Sequence, residues 1–297
     1  MAVFGLTSHA KLGRYTTLAA EYYQPYYTAA EQLIGSLGKR CAPLKACVQN
    51  TFPITYGVLK PREVESGTYR LARIQNSGSL FIFGEELPAI SDTQFEEYGR
   101  SEVRTGDVLV AIGGAIGPLG IISDSANFRL NINRHLARIS PNPSVVDGYY
   151  LAAYLASPVS QALVTREVRG AVQAGVNIAD LKLHPVFLPA IEVQREIGDL
   201  MRAAENSLKA SRIARSSAED LLRAALGLGS ATSQKSASFT TKSSAVADSR
   251  RMDAEYYSPS TREIARKIKA LQHTTVRENF GVQGGFPWDS RRFLPDN

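Results

Sequence analysis

Apolar positions along the chain change their period twice. From Tyr15 to Leu37, Ala, Leu and Tyr recur at helical spacing and predict a helix, followed by a connector that carries both cysteines, Cys41 and Cys47. From Ile54 to Ile139 the pattern becomes short β-rich runs separated by clusters of Gly, Asn, Asp and Ser. Tyr69 to Ile74, Leu80 to Phe83, Val108 to Ile112, Leu119 to Ile122 and His135 to Ile139 are such runs, and they predict a curled, mostly antiparallel sheet. Helical spacing returns in Gly148 to Leu155 and in Val159 to Val168. Val186 to Leu188 reads as a short strand ended by Pro189.

Ile191 to Leu226 contains no proline and is dominated by Ala, Leu, Glu and Arg. Small or apolar residues recur every three or four positions at Val193, Ile197, Leu200, Ala204, Ser207, Ser211, Ala214, Ala218, Leu221 and Ala225. The pattern predicts one helix of roughly 50 Å at a rise of about 1.5 Å per residue. Its Ala and Ser stripe suits close packing against another helix, although an ordinary amphipathic domain helix has the same period. Gly227 to Ser249 has the Ser, Thr and Ala content of a flexible linker.

The chain also repeats itself. Ala20-Glu21-Tyr22-Tyr23-Gln24-Pro25 returns as Ala254-Glu255-Tyr256-Tyr257-Ser258-Pro259. Val48-Gln49-Asn50-Thr51-Phe52-Pro53 returns as Val282-Gln283-Gly284-Gly285-Phe286-Pro287, at the same offset of 234 residues. Ile34 and Leu37 match Ile268 and Leu271 between them. Two matches in one gapless register imply duplication, so the chain reads as one full unit followed by the opening of a second. The expected organisation is an N-terminal helix and connector over 1–50, a principal domain over 51–190, a spacer helix over 191–228, a Ser/Thr-rich linker over 229–249 and a truncated second repeat over 250–297. The class is α/β (α+β): a mostly antiparallel sheet with flanking helices, then a long helix of coiled-coil type.

Composition narrows the function classes. Hydrophobic residues make up 44% of the 297, enough for a real core, and a formal charge of +6 permits a polyanionic partner without demanding one. Two cysteines give no disulfide framework, no secretory leader opens the chain, and no apolar run reaches membrane-spanning length, which together predict a cytoplasmic protein with no membrane contact. His9, His135, His184 and His273 lack ligand spacing, so no metal is expected. Gly113-Gly114-Ala115-Ile116-Gly117 lacks the Gly-Lys-Ser/Thr ending of a phosphate loop and reads as a turn between two strands. No Gly-x-Ser-x-Gly elbow, no Asn/Asp-Pro-Pro-aromatic segment and no carboxylate-carboxylate-lysine cluster is present. Glu85-Glu86 and Glu96-Glu97 read as solvated loop residues, and the chain is expected to catalyse nothing by itself.

Several segments, in order, resemble the specificity subunits of type I restriction-modification enzymes. They are Val103-Arg104-Thr105-Gly106-Asp107-Val108-Leu109-Val110, Ile112 to Gly117, Asn131-Ile132-Asn133-Arg134-His135, and Asp147 to Ser157. The loop from Arg169-Gly170 to Asn177-Ile178, Leu188-Pro189 and Val193-Gln194-Arg195-Glu196-Ile197 continue the series. Tyr56-Gly57-Val58 is similar to the tyrosine-glycine segment that opens the same modules. The resemblance implies a target-recognition domain whose sheet cradles DNA, joined to a helix that pairs with the equivalent helix of a second repeat. The near absence of the second domain departs from the family pattern and raises the alternative of a self-dimer through the long helix.

What the resemblance implies about function is a non-catalytic subunit that binds a specific half-site on double-stranded DNA. It would direct adenine methyltransferase subunits, and a restriction and translocase subunit, to that site. No cofactor is expected on this chain; S-adenosylmethionine belongs to the methyltransferase partner. Candidate DNA-contacting residues are Lys60 and Arg62, Gln75 and Asn76, Arg129, Asn131 and Arg134, and Arg169, Gln173 and Asn177, with a turn-forming role open for Asn133. Two other readings remain open: a partial subunit that acts only through helix pairing, and a free-standing DNA-binding module of another defence system.

Overall fold

Pro25 breaks what the apolar pattern reads as one N-terminal helix. In a computed structural model describing residues 20–58, 60–76, 80–117, 119–124, 128–168, 175–227, 238–249 and 251–270, a single 3-10 turn spans Ala20–Tyr23 and helix α1 spans Pro25–Leu37. The residue before a proline is driven out of the α region, and Gln24 stands at φ −56°, ψ 143°. Residues 15–19 of the expected helix lie outside the described residues. The chain divides into two compact units, 1–208 and 209–297.

In the first unit the strands and helices follow in order. They are β1 (Cys41–Pro43), β2 (Thr55–Tyr56), β3 (Glu63–Val64), β4 (Tyr69–Ala72), β5 (Phe81–Phe83), β6 (Ala89–Ile90), α2 (Asp92–Glu97), β7 (Glu102–Val103) and β8 (Val108–Ala111). Then come β9 (Leu119–Asp124), β10 (Arg129–Ile132), β11 (Leu136–Ile139), α3 (Gly148–Ala156), α4 (Pro158–Arg166), α5 (Ile178–Leu183), β12 (Pro185–Phe187) and α6 (Ile191–Ala225), which runs on past the end of the unit.

The pairing is mostly antiparallel, as the sequence predicts, but it divides over two five-stranded sheets instead of one. One has the order β3-β6-β4-β10-β7 and the other β2-β11-β8-β9-β5; β1 and β12 form a separate two-stranded ribbon. Each large sheet holds one parallel pair, β4 with β10 and β5 with β9. Packing explains why a single sheet is the simpler reading. The second sheet is covered on both faces: Val108, Val110, Ala137 and Ile139 face α3 through Leu151 and Leu155, while Leu109, Ala111, Ile122 and Leu136 face Leu130 and Ile132 of the first sheet. A strand buried on both sides reads as an unbroken apolar run and loses the alternation that would show which way it faces.

Helix α2 covers the outer face of the first sheet. Its Phe95 packs with Val58, Leu71 and Ile90 and stacks on Tyr69, ring centroids 4.4 Å apart. The acidic pair Glu96-Glu97, read as loop, is exposed on this helix. Helix α1 packs on α4 through Ala30, Ile34, Ala162 and Leu163.

The long helix follows its predicted bounds, but of the predicted stripe Ile197 alone is turned to the domain. Ile197, Met201 and Leu208 pack on the core, and Gln194, Gly198 and Glu205 are buried. Gln194 accepts the backbone N–H of Asp147 at 3.1 Å and donates to the Pro189 carbonyl at 2.9 Å. Arg202 pairs with Asp147, and Glu205 accepts the hydroxyls of Ser123 and Tyr149. Leu200 is 69% exposed and Leu221 73% exposed, so the Ala, Ser and Leu stripe is open.

In the second unit, the segment read as linker contains helix α7 (Ser243–Ser249), held at its end where Ser249 Oγ meets the Tyr257 hydroxyl, which also donates to the Arg251 carbonyl at 2.6 Å. Helix α8 spans Pro259–Ala270. The sequence repeat has the same local form in both copies: a 3-10 turn over the Ala-Glu-Tyr-Tyr segment, then a helix begun by proline. Tyr22 and Tyr23 meet edge to face at 5.2 Å and Tyr256 and Tyr257 at 5.0 Å. An arginine covers the first ring of each pair, Arg166 on Tyr22 and Arg251 on Tyr256. Residues 271–297, with the second half of the repeat, lie outside the described residues.

Candidate nucleic-acid interface

Strands β4 and β10 run parallel in register, Ala72 opposite Ile132, so their C-terminal ends coincide. Five segments meet at that end. The chain after β4 turns through the 3-10 segment Ile74–Asn76, and the chain after β10 turns through Asn133 to His135. The Asn133 N–H donates to the Ala72 carbonyl at 3.1 Å. Val58, which follows Tyr56-Gly57, donates to the Ile132 carbonyl at 2.7 Å and accepts from the Arg134 N–H at 2.8 Å. The glycine turn after β8 joins them: a Cβ on Gly113 would stand 2.8 Å from His135 Nδ1, and one on Gly114 3.3 Å from Ile74 Cδ1. Gly114 and Gly117 take φ of 76° and 100°, the left-handed region glycine tolerates, so the segment is the predicted turn between strands. Gly175 bridges Gly113, and the Val176 N–H donates to the Ile112 carbonyl at 2.8 Å, which brings in the loop that ends at Asn177.

The sequence candidates separate on this frame. Lys60 and Arg62 are exposed two and four residues beyond Val58, on a turn clamped by one buried amide. Gln94 of α2, 7% exposed, donates from Nε2 to the Lys60 carbonyl at 2.7 Å and accepts the Arg62 backbone N–H on Oε1 at 2.6 Å. Gln75 is exposed on the 3-10 turn that Asn76 closes. Arg134 is exposed at the tip between β10 and β11, its Nε 3.2 Å from His135 Nε2. Burial first, and then the Arg134 charge, lower the His135 pKa, so that ring is a neutral acceptor. Asn133 turns the chain, its Oδ1 accepting the His135 N–H at 3.2 Å.

Other candidates have internal partners. Arg129 lies at the opposite end of β10, exposed but held by both Glu102 carboxylate oxygens at 3.0 and 3.1 Å and lying 4.6 Å over the Phe95 ring. Asn131 does not reach the surface. It is 0% exposed; its Oδ1 accepts from Ser101 Oγ at 2.7 Å and from the Ile132 N–H at 2.8 Å, and its Nδ2 donates to the Tyr98 carbonyl at 3.0 Å. A polar residue in a β strand reads as loop from sequence, yet this one ties β10 to the turn before β7. Asn177 is exposed and caps α5, accepting the Ala179 N–H at 2.9 Å. Arg169 and Gln173 lie outside the described residues. The clamping role of Gln94 carries no signal in the sequence, because its partners are backbone groups 32 and 34 positions away.

Among the described residues no group of three or more His, Cys, Asp or Glu side chains is placed to hold a metal ion. Among the same residues no helix is long and apolar enough to cross a membrane.

Residues 59–215 match the model of the type I restriction modification DNA specificity domain. Over 145 residues the chain is 36% identical to the type I restriction enzyme EcoBI specificity subunit of Escherichia coli, covering 49% of this chain and 30% of that one. Two solved structures are also similar. One, from work on complex assembly and conformational transition of the type I R-M system, is 19% identical, covering 66% of this chain and 49% of that one at a TM-score of 0.43. The other, the HsdS subunit from Thermoanaerobacter tengcongensis, is 18% identical, covering 63% and 46% at a TM-score of 0.40. This chain belongs to the type I restriction modification DNA specificity domain family, a family of specificity components with no catalysis of their own. It spans less than a third of the curated relative it matches.

Proposed function

We propose that this chain recognises one specific half-site on double-stranded DNA and directs a separate adenine-N6 methyltransferase subunit, and with it a restriction and translocase subunit, to that site. Residues 51–190 would be the target-recognition domain, 191–228 the spacer helix, 229–249 the connector and 250–297 the start of the second repeat. The observation that carries the reading is the exposure of Gln75 and Arg134 at the sheet end where β4 and β10 finish together, with Lys60 and Arg62 exposed on the segment that leads from Val58 to β3, in a chain of this family. Lysine and arginine there neutralise phosphates and supply the salt-dependent part of affinity. Gln75 and Asn76, with Arg169 and Gln173 from the loop ending at Asn177, are the side chains assigned to base edges. An amide can bond adenine N6 and N7 together, and a guanidinium guanine O6 and N7. S-adenosylmethionine and base extrusion belong to the methyltransferase partner.

The exposed stripe of α6 supports a role in helix pairing, with a second copy of the chain supplying a second half-site. Co-purification with an adenine methyltransferase subunit, followed by methylation sequencing, tests both levels. Adenine methylation at a defined sequence, present only with this chain, is the expected result, and a symmetric motif is expected if two copies act together. Partner binding without any motif would leave helix pairing as the function. Salt-dependent DNA binding without any methyltransferase partner would point to a free-standing module.

A further inference from the structure

Two arginines outside the sheet-end cluster are exposed and lie against aromatic rings. Arg100, on the 3-10 turn Gly99–Ser101, has its guanidinium carbon 5.9 Å from the Tyr56 ring, and Arg104, just after β7, has its own 4.3 Å from the Phe52 ring. Neither forms an ion pair with a carboxylate among the described residues. The acids nearest in sequence are engaged elsewhere: Glu102 holds Arg129 with both oxygens, and the buried Asp107 accepts the backbone N–H of Arg104 at 2.9 Å.

A third arginine fixes the frame beneath them. Arg138 of β11, 3% exposed, donates to the carbonyls of Arg100 at 3.1 Å, Glu102 at 2.6 Å and Pro53 at 3.2 Å. Its guanidinium lies 5.6 Å from the same Phe52 ring. One buried side chain therefore ties the turn that carries Arg100 and the strand that precedes Arg104 to the segment that carries Phe52. An exposed guanidinium resting on an aromatic ring has restricted freedom, and its N–H groups remain free to bond outward. A phosphate diester matches that donor arrangement, and little ordering is needed on binding.

We propose that Arg100 and Arg104 form a second, sequence-independent contact with the phosphate backbone of duplex DNA, separate from the sheet-end cluster. The proposal deepens the recognition reading and rests on it. The chain binds its duplex at two places, a sheet end where base edges are read and an arginine ledge that holds the backbone.

The test is the salt dependence of binding of the full chain to a random-sequence duplex, followed by fluorescence anisotropy. The unsubstituted protein is compared with Arg100→Gln/Arg104→Gln, Arg100→Lys/Arg104→Lys and Lys60→Gln/Arg62→Gln, with thermal unfolding as a check on folding. Each lost phosphate contact flattens the slope of log K against log salt by about 0.9 for B-form DNA, so the double Gln variant should lose about two and bind at least several-fold more weakly. The double Lys variant should keep the slope, and in the assembled methyltransferase the double Gln variant should leave the modified sequence unchanged. A double Gln variant with the unsubstituted slope overturns the proposal. So does one that keeps the slope but loses its methyltransferase partner, which would make the ledge a protein interface. If the unsubstituted chain shows no salt-dependent binding, the recognition reading falls and takes the ledge with it; loss of slope in the Lys60/Arg62 variant alone removes only the ledge.

Discussion

The backbone at Gly57 passes so close to Ile132 that a Cβ on Gly57 would overlap the Ile132 carbonyl oxygen, the same oxygen that accepts the Val58 N–H. The glycine of the Tyr-Gly-Val segment is thus a condition for joining the chain before β3 to the end of β10. Gly57→Ala must push that backbone away and break the bond. A loss of about 3 kcal/mol or more is expected, at the upper end of overpacking effects, read as a lower urea midpoint. A variant as stable as the parent would show that the approach is not obligatory.

Gln94 separates support of the interface from contact with it. Gln94→Ala removes both bonds to the Lys60–Arg62 turn and leaves a backbone carbonyl and N–H without their amide partner, a cost of about 1–3 kcal/mol. Its DNA affinity should fall with its stability. Lys60→Gln/Arg62→Gln should weaken DNA binding with the unfolding midpoint unchanged within about 0.5 kcal/mol, as expected of exposed side chains. Equal stability losses in the two variants would count against this division.

Glu205 fastens helix α6 to β9 and α3 through the hydroxyls of Ser123 and Tyr149. Burial, and then the bond to Glu205, raise the Tyr149 pKa, so the phenol stays protonated and donates. Glu205→Ala leaves two hydroxyls without their acceptor, and a loss of about 2–4 kcal/mol is expected. Glu205→Gln keeps an acceptor oxygen and should lose less than half as much. Hydrogen exchange should show the 191–208 part of α6 losing protection in the Ala variant; unchanged protection there would mean that the apolar contacts of Ile197, Met201 and Leu208 suffice.

These sites show where the sequence is readable and where it is not. Val108 to Ile112 and His135 to Ile139 are legible as strands because they are short apolar runs, and the glycine turn is legible from its composition. The division into two sheets is not, because Leu109 and Val110 are both buried, on opposite faces, and a pattern without polar positions names no face. Strand β10 is missed because Arg129 and Asn131 look like loop residues, and the polarity of Asn131 is satisfied by groups distant in the chain. The domain-facing side of α6 is obscured in the same way, since Gln194 and Glu205 are buried polar residues. Gln75 and Arg134 can be named individually as exposed polar residues; that they share one sheet end depends on the parallel pairing of β4 with β10, which no local pattern encodes.

His184 sets an acid limit on the fold. Its ring is buried, Nε2 lies 2.8 Å from Ser160 Oγ in α4, and the neighbouring ring is Tyr154. Burial pushes its pKa down to about 4 from the ordinary 6.5. Below pH 6.5 the unfolded chain takes up a proton that the folded chain refuses, so this group's contribution is complete above that pH and falls as the pH drops towards 4. The full difference is about 3 kcal/mol, of which about 2 kcal/mol is gone by pH 5. Urea midpoints at pH 7 and pH 5 should differ by that amount more in the parent than in His184→Gln, which has no proton to take up there. The variant should be the less stable of the two at pH 7, through imperfect packing against Ser160 and Tyr154, and should close part of that gap at pH 5. An equal pH dependence in the two proteins would place the acid sensitivity on other groups.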